Sequence, residues 1–258
     1  MIRCCIGWVV AIAISACAAA GEKQLNSEVF RSAIFQAPED GMLRYRLSAP
    51  STIDSADGAP LVIFLHGAGE RGEDNLSQLK HGALDIHHFS QQQDIPAFIL
   101  AAQVPAEEQW VDTPWSDNAH RIPDRPSRSM RLLMALIDSL IDESPINKHR
   151  VYLAGLSMGG FGVWDLLARR QQFFAAAIPV CGGGDIATAN VIKGTPIWAF
   201  HGADDVVVKP RRSRDMVQAL RAVGGQPKYT EYEDVGHDAW TLAFADSEVM
   251  AWMFSQSL

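Results

Sequence analysis

An apolar run that ends in a glycine-flanked turn and passes at once into a helical pattern leaves a chain few folds to choose from. Arg150-Val151-Tyr152-Leu153-Ala154-Gly155-Leu156-Ser157-Met158-Gly159-Gly160 is such a run, and Phe161-Gly162-Val163-Trp164-Asp165-Leu166-Leu167 continues it with helical spacing. The stretch reads as strand, sharp turn and helix, with Ser157 at the apex. Any side chain two residues before or after that serine would meet the neighbouring strand or helix, so Gly155 and Gly159 are the residues that fit. The helix amides beyond the turn favour negative charge above Ser157.

Further strands alternate with helical patterns. Val29–Phe35 and Leu43–Leu47 alternate weakly, while Leu61-Val62-Ile63-Phe64-Leu65 and Phe98–Gln103 are continuous apolar runs suited to strands covered on both faces. Phe174–Val180, Ile197–Phe200 and Tyr229–Tyr232 read as later strands. Helical spacing marks Asn75–Ile86, Ser129–Ile141, Arg211–Val223 and a terminal helix over Asp238–Phe254. The alternation predicts an α/β fold: a doubly wound, mostly parallel sheet flanked by helices, with its site along the carboxyl edge of the strands. Val104–Pro126, carrying Trp110, Trp115 and His120, reads as a long irregular loop that shapes a pocket.

With 258 residues, 48% of them hydrophobic and 20% charged, the chain has material for one full-sized core. A net charge of −8 and the lack of any basic run argue against nucleic acid and against a polyanionic substrate. Residues 1–20 read as a signal peptide: Arg3, then an apolar stretch over Ile6–Ile14 too short to span a bilayer, then small residues. Ile14-Ser15-Ala16-Cys17 resembles a bacterial lipobox, which makes Cys17 a candidate lipidated first residue and a membrane attachment; ordinary cleavage after Ala18 or Ala20 is the competing reading. The expectation is an exported protein, a periplasmic or outer-membrane lipoprotein or else a secreted one, with residues 21–258 as a single domain. Cys181 is the one cysteine outside the leader, so it has no intramolecular partner there and reads as a small buried apolar residue.

A serine hydroxyl needs a base, and the base needs an acid to orient it. On this topology the order is serine, acid, histidine. Only His201 and His237 follow Ser157; His237, on the glycine loop after the last strand, is the candidate base, and His201 shapes the turn that presents the acid. That turn offers both Asp204 and Asp205, of which Asp205 is preferred, with Asp185 a third candidate. The backbone amides of Ala68, in His66-Gly67-Ala68-Gly69-Glu70-Arg71-Gly72, and of Met158 are the candidate oxyanion donors. His81, His87 and His88 do not have the spacing of a zinc site.

Leu65–Gly72, Gly155–Gly160, Pro179–Asp185, Phe200–Asp205 and Gly236–Trp240 together resemble the α/β-hydrolase superfamily. Within it they are similar to the bacterial secreted esterases of the dienelactone-hydrolase-like and phospholipase/carboxylesterase-like groups, over about Ala59–Trp252. The resemblance implies a serine carboxylesterase acting through an acyl-enzyme, with catalytic Ser157, Asp205 and His237 and no metal or organic cofactor. True dienelactone hydrolases have cysteine where Ser157 stands, so that reaction is not expected. The short Val180–Ile197 interval leaves no room for a helical lid, implying an open site for small or polymer-borne esters, with Trp110, Trp115 and Trp240 as candidate pocket residues. A serine peptidase similar to the prolyl oligopeptidase relatives, and a noncatalytic envelope-binding protein on the same fold, are the alternatives.

Overall fold

The computed structural model describes residues 29–258. The leader reading and Cys17 lie outside them. Eight strands form one sheet in the order β1-β2-β4-β3-β5-β6-β7-β8. They are β1 (Arg31–Ala37), β2 (Gly41–Ser48), β3 (Ala59–Leu65), β4 (Phe98–Gln103), β5 (Ile146–Leu156), β6 (Ala176–Val180), β7 (Trp198–Gly202) and β8 (Lys228–Tyr232). β1 pairs antiparallel with β2 and β2 with β4; every other neighbour is parallel. This is the doubly wound sheet expected from the sequence, with one antiparallel edge.

Alternate residues of the central strands enter two cores. Leu61, Ile63 and Leu65 of β3 pack on one face with α2 (Arg128–Glu143), α3 (Met158–Arg169) and α5 (Arg211–Ala222). Val62 and Phe64 pack on the other, with α1 (Ala83–Gln92), α6 (Ala239–Ala245) and α7 (Ser247–Ser255). Burial on both faces is why β3 and β4 are apolar throughout. Between β6 and β7 the only helices are a single turn at Ile186–Thr188 and the four-residue α4 (Ala189–Ile192), so no large lid covers the carboxyl edge.

Two helices differ from expectation. The segment Asn75–Ile86 is not one helix: a short turn over Ser77–Leu79 is followed by α1, which starts only at Ala83. Asn75 has a φ of 50°, and its side-chain amide donates to Ser32 Oγ and to the Ala33 and Tyr45 carbonyls. Gly82, with a φ of 74°, then turns the chain so tightly that a β-carbon would lie 2.3 Å from the Phe64 ring. The terminal helix is also two, α6 and α7, because the Asp246 carboxylate accepts the Glu248 amide at 2.8 Å and starts a new helix.

The loop between β4 and α2 is irregular, as expected, and it is clamped. Arg212 Nη1 donates to the Asp117 carbonyl at 3.0 Å, the Ile122 amide donates to Asp185 Oδ2 at 3.0 Å, and Arg169 Nη2 donates to the Pro123 carbonyl at 2.8 Å. Asp185 is therefore a clip for this loop and not a catalytic acid.

Candidate active site

Ser157 sits between β5 and α3 with φ 52° and ψ −118°, a backbone conformation that lifts its hydroxyl clear of both elements. The turn closes so tightly that a β-carbon on Gly159 would lie 1.9 Å from the Leu65 carbonyl oxygen, and one on Gly155 would lie 2.7 Å from the Gly159 oxygen. The Ser157 amide is spent on the Val180 carbonyl at 2.8 Å, which ties the turn to β6.

Ser157 Oγ lies 2.8 Å from His237 Nε2, and His237 Nδ1 lies 2.6 Å from Asp205 Oδ2. The three come from the ends of β5, β7 and β8, in the chain order expected from the sequence. Asp205 is buried, and the Val207 and Val208 amides both donate to its Oδ1 at 2.9 Å. Asp204, by contrast, is exposed. Burial opposes ionisation of Asp205, but hydrogen bonds from His201, His237 and the Val208 amide outweigh it and hold the carboxyl well below its ordinary value. An ionised Asp205 fixes the His237 tautomer with its proton on Nδ1 and leaves Nε2 free to accept from the serine.

His201 is fully buried, with Nε2 2.8 Å from the Val208 carbonyl and 3.2 Å from Asp205 Oδ2, and Nδ1 2.7 Å from Ser213 Oγ. It braces the loop that carries the acid. Cys181 completes this buried group: ligand atoms of Cys181, His201 and Asp205 fall within 4.8 Å of one another. Burial and the neighbouring Asp205 charge push the Cys181 thiol up to about 12, and both His201 nitrogens already face protein oxygens, so the group is built as a support for the acid and not as a cation seat. His81, His87 and His88 do not converge: His87 Nδ1 faces Ser48 Oγ at 3.1 Å, while His81 lies beside Glu70.

The loop after β3 abuts the serine, since a β-carbon on Gly67 would lie 3.6 Å from Ser157 Cβ. Among the described residues, neither the Ala68 nor the Met158 amide has a hydrogen-bond partner. The loop around them is fixed. His66 Nδ1 donates to the Gly67 carbonyl at 2.6 Å and its Nε2 accepts the Val104 amide at 3.0 Å, while Arg71 Nε donates to the Ala68 carbonyl at 3.0 Å. Burial drives the His66 pKa down from 6.5 to about 4, so it is neutral, as these bonds require.

Of the three tryptophans, Trp240 stands against the site, its ring edge-on to His237 with centroids 5.1 Å apart. Trp115 packs under Arg71, 5.8 Å from the guanidinium carbon to its ring centroid. Trp110 is a correction: it is wholly buried in the core, its Nε1 donating to the His66 carbonyl at 3.1 Å, so it supports the loop from beneath and lines no pocket. Glu70 stands close to this site and was not singled out from the sequence; an acidic residue inside a glycine-rich loop was the available signal.

Several known proteins are similar to this chain. A crystal structure of a thermostable esterase superposes with a TM-score of 0.84 at 38% identity, covering 91% of this chain and 64% of that one. An oxidized polyvinyl alcohol hydrolase of Sphingopyxis sp. is 26% identical over 164 residues, 56% of this chain and 44% of its own length. Acyl-protein thioesterase 1 of Gibberella zeae is 25% identical over 209 residues, 69% of this chain and 83% of its own. The chain thus spans less than half of the polyvinyl alcohol hydrolase and less than two thirds of the thermostable esterase. With the phospholipase/carboxylesterase family model matching residues 52–248, the chain belongs to that family and has the α/β-hydrolase fold.

Proposed function

We propose that this protein is a serine carboxylesterase working through an acyl-enzyme. The observation that carries the reading is the unbroken hydrogen-bonded run from Ser157 through His237 to Asp205, at 2.8 and 2.6 Å. Ser157 Oγ attacks the ester carbonyl carbon while His237 Nε2 takes its proton. The carbonyl oxygen becomes an oxyanion and accepts from the Ala68 and Met158 amides, each donor being worth about 3 to 4 kcal/mol in the transition state. The C–O bond to the alcohol then breaks and His237 returns the proton to the departing oxygen. A water, deprotonated by His237, attacks the acyl-serine and releases the acid. The uncovered carboxyl edge suits soluble esters and ester groups borne on a polymer.

The test is turnover of p-nitrophenyl esters from acetate to octanoate, with a feruloyl ester, by wild type and Ser157→Ala. The expected result is wild-type hydrolysis that falls about ten-thousandfold or more in the variant. Turnover that survives the substitution would remove Ser157 as the nucleophile, and no wild-type turnover on any ester would end the esterase reading.

A further inference from the structure

Beside the nucleophile lies a carboxylate to which no described residue donates a hydrogen bond. Glu70 is 6% exposed, and its carboxylate accepts no hydrogen bond from any described residue; the nearest basic group is His81 Nε2, 3.9 Å from Oε1. The other oxygen lies near the turn that carries the nucleophile. A β-carbon on Gly67 would stand 3.0 Å from Glu70 Oε2 and 3.6 Å from Ser157 Cβ, so the carboxylate and the nucleophile flank one point on the oxyanion loop. His81, partly exposed, has its ring 6.1 Å from that of Trp240, which in turn stands 5.1 Å from His237. Glu70, His81 and Trp240 therefore follow one another from the loop after β3 to His237.

A carboxylate beside the nucleophile opposes the negative charge that the Ala68 and Met158 amides are placed to receive, because like charges repel away from bulk water. That repulsion is relieved when a substrate brings a hydrogen-bond donor to Glu70, and the nearby Trp240 ring is a favourable surface for a cation. The geometry points to Glu70 as a recognition residue for esters whose alcohol portion carries a donor, an ammonium or a hydroxyl, a few bonds from the ester. This rests on the esterase reading and names the substrate class of the same site.

The test compares three butyrates of matched length, butyl, 3-hydroxypropyl and 3-(dimethylammonio)propyl, by acid release in wild type, Glu70→Gln and Glu70→Leu. Wild type should favour at least one donor-bearing ester over butyl butyrate by on the order of tenfold in kcat/KM. Glu70→Leu should lose that preference. Glu70→Gln should keep a hydroxyl preference and lose an ammonium preference, which tells the two donors apart. Each ratio is taken within one variant, so partial loss of folded protein cancels, and Glu70→Gln, being isosteric, decides the ammonium case even if Glu70→Leu fails to fold. A preference unchanged in Glu70→Leu overturns the assignment, as does wild-type hydrolysis of butyl butyrate with no preference. No turnover of any of the three by a protein that hydrolyses the p-nitrophenyl esters overturns this assignment alone, whereas inactivity on both sets removes the esterase reading with it.

Discussion

Asp204 and Asp205 are adjacent and chemically identical, yet they face opposite environments. Asp205 is 4% exposed and hydrogen-bonded on both oxygens, whereas Asp204 is exposed. Sequence order led to the turn and the histidine that the structure brings together with Ser157, because the three follow the strands. It did not separate the two aspartates, since which one turns inward depends on how the Val207 and Val208 amides close over Oδ1. Trp110 was misread for a similar reason: a bulky aromatic in an irregular loop gives no sign of whether it faces the cleft or the core. Asp205→Asn keeps the shape but reverses the hydrogen bond to Nδ1, favouring the wrong tautomer of His237, and should lower kcat by about ten-thousandfold. Asp204→Asn should leave kcat within a few-fold. Steady-state kinetics of the pair decides this, and equal losses in both variants would reject Asp205 as the orienting acid.

The turn between β5 and α3 was legible as an element because its demands are steric, and glycine spacing records them directly. Continuous apolar runs likewise announced β3 and β4. The helical segments were read less well, because hydrophobic periodicity passes smoothly over the left-handed Asn75 and Gly82 and over the cap at Asp246. These breaks are set by backbone angles and side-chain hydrogen bonds that periodicity does not encode. Steric demand also separates glycines within the site. Gly159→Ala puts a β-carbon 1.9 Å from the Leu65 carbonyl, where backbone must move, whereas the same change at Gly69 meets nothing within 4 Å. In urea unfolding, Gly159→Ala should lose about 3 kcal/mol or more, if it folds at all, and Gly69→Ala should stay within about 0.5 kcal/mol of wild type. A Gly159→Ala protein of native stability would mean that the turn is looser than its contacts imply.

Across the whole molecule, stability should depend on pH through groups that the fold holds in one protonation state. His66 is neutral and fully buried, bridging the loop after β3 to the residue that follows β4, and its pKa falls from 6.5 to about 4 on burial. The unfolded chain therefore binds the extra proton first, so this contribution is complete above pH 6.5 and drains away as the pH falls toward 4. At 1.36 kcal/mol per pH unit it amounts to about 3 kcal/mol. His120, also lowered to about 4 by burial and by Arg212, acts in the same direction. Below about pH 4 the depressed carboxyl of Asp205 takes over: its contribution is present above the unfolded value of 3.8 and is lost as the pH falls further. The net charge of −8 works the other way, since protonation relieves repulsion, but surface charges act through water and are screened within about 10 Å at ordinary salt. The buried histidine escapes that screening, so it should dominate. Urea midpoints measured from pH 7.5 to 4 should fall steadily below pH 6.5, and in His66→Gln, though less stable overall, the fall should be markedly shallower. A slope unchanged by the substitution would show that His66 is not the group that couples the oxyanion loop to acid.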